Sequence, residues 1–119
     1  MIVAGFGFRG AATVTSLADA YAQLGGHADA LAAPLDKAAA ECLIALAQRL
    51  FLPIIPIGPA ALRGVPTPTQ ATRVIAARGT GSVAEAAALA GAGPGAVLLR
   101  GRVISSDRLA TAALARGAP

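Results

Sequence analysis

The sequence predicts an α/β fold, a single three-layer α/β/α domain over residues 1–119 built on a small mixed, mostly parallel β-sheet. Strand-like apolar runs and helix-like stripes alternate along the first half, the order that gives parallel strands joined by crossover helices. Helix-start signals recur, and glycines follow to stop three of the four helices. The last stretch reads instead as two strands around a short loop, which mixes the sheet.

Ile2 to Phe6 is a short buried strand running into Gly5-Phe6-Gly7-Phe8-Arg9-Gly10. A helix follows, with Leu17, Ala20, Tyr21 and Leu24 on one stripe and Gly25-Gly26 at its end. Thr15 or Ser16 caps it, and Asp19 stands three residues after Ser16 as in a capping box. Ala28 to Ala33 is a small-residued run compatible with a strand. Pro34 then suits the first position of a second helix, striped by Leu35, Ala39, Cys42, Leu43, Leu46 and Leu50. Pro53 to Ile57 is extended and β-branched, but its two prolines keep it from a wholly central position. Thr67-Pro68-Thr69-Gln70 starts another helix, which stops at Gly79, and Ser82-Val83-Ala84-Glu85 starts the next, which runs to Gly91. Gly93-Pro94-Gly95 breaks the chain before a strand from Ala96 to Arg102. Leu109 to Ala115 is a helix by propensity or a strand by position, and periodicity leaves both open.

Hydrophobic residues make up 55% of the chain but aromatics only 3%, so the core rests on close approach of alanine-rich elements around Leu, Ile and Val. The most apolar stretch, Leu50 to Leu62, is too short to span a bilayer and is interrupted by three prolines. The start of the chain shows no export signal, and the lone Cys42 excludes an internal disulfide; both point to the cytoplasm. A net charge of +4 calls for an anionic partner. The ten basic residues are dispersed, without a basic run, an RNA-binding aromatic motif or a Cys/His finger, which argues against nucleic acid. Separated guanidinium groups suit a small polyanion, each able to clamp one carboxylate or phosphate.

The opening glycines spell G-x-G-x-x-G, yet a dinucleotide fold starts its helix inside that motif, and here Thr13-Val14-Thr15 intervenes. Asp29 stands near the distance expected of a ribose-binding acid but not clearly at a strand end. No nicotinamide, flavin or other cofactor is therefore expected. Gly5, Gly7 and Gly10 form either a plain turn or a set of exposed amides at a strand's carboxyl end, with Arg9 as a fixed charge beside them. Gly79, Thr80, Gly81 and Ser82 lead a helix start, which either caps itself through Ser82 and Glu85 or offers amides to an anion. Candidate ligand-binding residues are thus Gly7, Arg9, Lys37, Gly79, Thr80, Gly81 and Ser82. Catalytic residues are not identified; Glu85 and Asp36 are weak acid/base candidates without a spaced partner. His27 reads as solvated, Cys42 as core, and no metal-ligand spacing occurs.

Taken together, "IVAGFGFRG", "ATVTSLADAYAQ", "PLDKAAAECLIALAQRL", "GTGSVAEAAALAGAG" and "LATAALARG" resemble the CobE / CbiG C-terminal domain family of cobalamin biosynthesis across essentially the whole chain. The match is looser at "TPTQATRV". The resemblance implies an α/β sandwich with a mixed sheet, and a strand at Leu109 to Ala115. It also implies a role in building the corrin ring, with a precorrin-type tetrapyrrole as partner and other enzymes of cobalamin biosynthesis as possible partners. Two-part family members are similar to a hydrolase that opens a cobalt-precorrin lactone and releases acetaldehyde. This chain corresponds to the C-terminal part, like the stand-alone members that go with the aerobic route. The leading expectation is a protein that binds or hands on a precorrin. A precorrin-processing, lactone-opening enzyme and a generic small-anion module are the alternatives.

Overall fold

The computed structural model describes residues 1–67 and 82–118. Five strands, β1 (Ile2–Phe8), β2 (Ala30–Pro34), β3 (Ile54–Ile57), β4 (Val97–Ile104) and β5 (Ala110–Arg116), form one sheet in the order β3-β2-β1-β5-β4. The described helices are α1 (Val14–Gln23), α2 (Glu41–Leu50), α3 (Pro59–Arg63) and α4 (Val83–Ala92). The helix expected from Thr67-Pro68 to Gly79 falls largely in residues 68–81, outside the described residues. β1 pairs with β2, and β2 with β3, in parallel; β5 pairs antiparallel with both β1 and β4. The sheet is mixed as expected, with parallel and antiparallel pairings in equal number rather than mostly parallel.

Alternate residues of β1 serve two cores, as the two-residue period of a strand requires. Ala4 and Phe6 face α1 and α2, where they join Leu17, Leu24, Leu31, Leu43, Leu46 and Leu114. Val3 faces the opposite layer with Ala32, Ile57, Leu62, Ala86 and Ala87. Alanines also carry the contact of α4 with β5, through Ala84, Ala88, Ala113 and Ala115. Such small side chains let the helix lie close to the sheet. Gly5 takes this to its limit, because a Cβ there would sit 2.2 Å from the Ala84 carbonyl oxygen.

Several local expectations change. Thr13, not Thr15 or Ser16, caps α1: its hydroxyl accepts from Ser16 N–H while Thr13 N–H donates to Ser16 Oγ at 3.1 Å. The reciprocal box thus has serine where glutamate is usual. Pro34 ends β2 instead of opening α2. The N–H groups of Leu31 and Leu35 donate to β3-side carbonyls of Pro53 and Ile57, so alternation leaves the missing N–H of Pro34 unneeded in that ladder. Its carbonyl accepts from Lys37 and Ala38, which makes residues 35–39 a turn. Lys37 therefore stands in that turn, clear of the dipole of α2. β3 occupies a sheet edge, where Pro56 is tolerated. β5 confirms the strand at Ala110–Arg116. Among the described residues no helix is long and apolar enough to cross a membrane.

Candidate functional site

The carboxyl ends of β1 and β2, the start of α4 and the β4–β5 hairpin enclose a cleft of about 630 Å³, within the range of small-molecule sites. Its lining includes Gly7, Phe8 and Arg9 from β1 and its turn, Pro34 and Lys37 after β2, and Ser82 and Val83 at α4. The hairpin adds Arg102, Ile104, Asp107, Arg108, Leu109 and Thr111. Gly7, Arg9, Lys37 and Ser82 thus share one cavity wall. Gly79, Thr80 and Gly81 lie outside the described residues. Glu85 and Asp36 do not line this cleft.

Each cation arrives by a different route. Arg9 follows β1 directly, and its N–H donates to Leu109 O at 3.0 Å, which ties the turn to the hairpin. Lys37 Nζ lies 5.4 Å from the centroid of the Phe8 ring, a cation–π distance that holds the ammonium over the floor. Arg102 belongs to β4, within the register shift between Arg100 and Val103. There its backbone N–H donates to Glu85 Oε2 at 2.9 Å. Arg108 stands in the hairpin with φ +63. In sheet order the four come from beside β2, from beside β1, from the turn before β5 and from β4, strands whose outer two lie three inter-strand spacings apart, roughly 14 Å. Phe8, Val83, Ile104 and Leu109 supply apolar surface between them.

Glu85 is fully buried on α4 and accepts from the backbone of β4, so its carboxylate joins helix to strand. Ser82 performs the expected cap, with Oγ accepting from Glu85 N–H at 3.3 Å. Gly101 lets the carboxylate approach: a Cβ there would meet Glu85 Oε2 at 3.2 Å. Asp36 is exposed and lines a neighbouring depression with Arg9, Lys37, Glu41 and Cys42. Gly7 keeps the floor low, since a Cβ would meet Thr111 Oγ1 at 3.0 Å and Val83 at 3.3 Å. Gly10 is open on every side, and Gly5 lies inside the strand beneath α4. Of the two readings of the opening glycines, neither holds for Gly5, which serves helix packing within the strand.

Sequence reasoning missed Arg102, Arg108 and Asp107, because only the antiparallel return of β5 beside β1 brings the hairpin to the cleft. The signal available was the turn-forming Ser105-Ser106-Asp107 run followed by an arginine. Asp107 accepts from Ser105 Oγ at 2.6 Å, Ser16 Oγ at 2.5 Å and Leu109 N–H at 3.1 Å. Hydrogen bonds from Ser105 and then Ser16 hold its carboxyl below the ordinary aspartate value. Asp19 is likewise lowered, chiefly by the backbone N–H of Ser106 at 2.6 Å. Asp29, considered above for a ribose, instead accepts from Ile2 N–H at 2.8 Å at the amino end of β1, the end opposite the cleft. Among the described residues no group of three His, Cys, Asp or Glu side chains is placed to hold a metal.

Residues 2–115 match the protein family described as Cobalamin synthesis G C-terminus. The chain belongs to that family. Its fold is similar to the crystal structure of CobE, a protein from the cobalamin (vitamin B12) biosynthetic pathway, with 32% identity and a TM-score of 0.85 over 98% of this chain and 89% of that one. It is also similar to the cobalamin biosynthesis protein chiG from Agrobacterium tumefaciens str. C58, with 31% identity and a TM-score of 0.76 over the full length of both chains. A comparison with curated protein sequences gives no match. Membership in the Cobalamin synthesis G C-terminus family ties the protein to cobalamin biosynthesis.

Proposed function

We propose that this member of the family binds a precorrin in the hairpin cleft and hands it on within the aerobic, cytoplasmic route. One observation carries the reading: four cations, drawn from or beside four adjacent strands, line one cleft together with apolar residues. A single phosphate would favour cations converging on one point. Cations supplied from four strands, the outer two roughly 14 Å apart in the sheet, instead suit an apolar macrocycle whose acetate and propionate carboxylates are spaced around its rim. Gly7 supports this by keeping side-chain bulk off the floor.

A processing reaction would need a proton donor or acceptor at the ligand. Asp107 is the carboxylate among the described lining residues, and its hydrogen bonds favour the ionised form, which suits anchoring better than proton donation. Glu85 serves Arg102, and Asp36 faces the adjoining depression. The binding reading is tested by incubating the protein with each precorrin of the pathway, then taking absorption spectra and the mass of the recovered ligand. Stoichiometric recovery of one precorrin at unchanged mass supports it. Failure to retain any precorrin overturns it, and a changed mass would favour the processing enzyme.

A further inference from the structure

The hairpin between β4 and β5 is built around a residue type that its backbone does not favour. Arg108 adopts φ +63, the left-handed region that in hairpin loops usually falls to glycine or asparagine. Glycine occupies the other described positions of this kind at Gly25, Gly93 and Gly95, with Phe51 the further exception. At position 108 the chain places an exposed arginine at the lining of the cleft. The turn itself needs only the backbone of this residue, through Arg108 N–H donating to Ser105 O at 2.9 Å. A guanidinium held in an unfavoured backbone conformation at a cavity wall is a sign of a ligand contact.

The segment leading into Arg108 is fixed to α1. Ser16 donates to Asp107 Oδ2 at 2.5 Å, Asp19 accepts from Ser106 N–H at 2.6 Å, and Gln23 Nε2 donates to Ile104 O at 2.9 Å. Ser16, Asp19 and Gln23 recur at three- and four-residue intervals, so one helical stripe holds Ile104, Ser106 and Asp107. Asp107 Oδ1 in turn accepts from Ser105 Oγ and Leu109 N–H, closing the loop on itself. The backbone that presents Arg108 is therefore set before any ligand arrives, which reduces the ordering cost of binding.

We propose that Arg108 is a specificity-determining residue that reads a ligand carboxylate at the hairpin end of the cleft, and that Ser16 acts through Asp107 as its positioning residue. The proposal rests on the reading of the cleft as a polycarboxylate site and adds which residue selects the ligand. A ligand lacking a carboxylate at that end should lose this contact, whatever the remaining cations do.

Fluorescence titration with uroporphyrin, an eight-carboxylate macrocycle, and with its octamethyl ester tests this, alongside thermal unfolding of each variant. Wild type should bind the acid and not the ester. Arg108→Gly should weaken uroporphyrin binding roughly tenfold, the scale of one charge-assisted contact, while its Tm stays level or rises because glycine relieves the backbone. Arg108→Lys should recover part of the loss. Ser16→Ala should also weaken binding, yet add nothing in the Arg108→Gly background, because a positioning residue acts only through the group it positions. Unchanged uroporphyrin affinity in Arg108→Gly, with wild type binding normally, overturns the specificity role and leaves the cleft reading standing. A Ser16→Ala loss that persists in full alongside Arg108→Gly overturns the positioning role. If wild type binds neither compound, the polycarboxylate reading falls and this proposal with it.

Discussion

Gly5 lies directly beneath α4, with no room for a side chain between strand and helix. A Cβ at Gly5 would stand 2.2 Å from Ala84 O and 2.3 Å from Ala88 N, both backbone atoms. Neither can turn aside as a side chain would. Gly5→Ala should therefore displace the helix and cost about 3 kcal/mol or more, the upper range of overpacking. Gly10→Ala meets nothing within 4 Å and should change little. Urea unfolding of the two variants checks this, and equal stabilities would contradict the helix–strand contact.

Arg9 is exposed at the cleft mouth, so removing it should leave the fold intact. Arg9→Ala should weaken polycarboxylate porphyrin binding by about 1.5 kcal/mol, the low end for a charge-assisted bond because solvent screens the group. The loss should shrink as salt rises. Titrations at low and high ionic strength, with circular dichroism to confirm the fold, measure both effects. An affinity independent of Arg9 would remove it from the site.

Glu85→Ala takes away the acceptor for Arg102 N–H and leaves a void at a fully buried position. The combined loss should be about 2–4 kcal/mol, from an unsatisfied donor and a cavity. Glu85→Gln keeps an acceptor oxygen of the same reach, so it should be milder and leave porphyrin affinity close to wild type. Lost affinity in Glu85→Gln at unchanged Tm would mean that the carboxylate acts on the ligand.

Acid should loosen the hairpin before it unfolds the core. Asp107 and Asp19 both have folded values below their unfolded ones, through hydrogen bonds from Ser105 and Ser16 and from Ser106 respectively. Their contribution to stability is thus complete above the unfolded aspartate value of about 3.9 and is lost as pH falls through the lower folded values. Urea midpoints measured from pH 6 downward should drop in this window. Asp107→Asn should flatten that dependence, and an unchanged slope would show that the clamp carries none of it.

The strands of the first half were legible because each is bounded by a glycine or proline with a specific backbone consequence. Those signals also misled at Pro34, where a residue suited to opening a helix instead closes a strand whose ladder does not need its N–H. The cap of α1 was misplaced by two or three residues because serine takes the glutamate position of the box at Ser16. Half of the cations lining the cleft could be found locally, as Arg9 and Lys37 stand next to glycine or proline turns. Arg102 and Arg108 could not, since their neighbourhood depends on β5 pairing with β1 across about a hundred residues of chain.

That pairing also sets an order on synthesis. β4 is attached to the sheet through β5 alone, and β5 follows the other four strands in the chain. A nascent chain can pair β1, β2 and β3 early, with one side of β1 still open. Its half-built sheet carries Arg9 and Lys37 but has no hairpin opposite them. The cleft is complete only once residues 110–116 pair with β1 on one side and with β4 on the other.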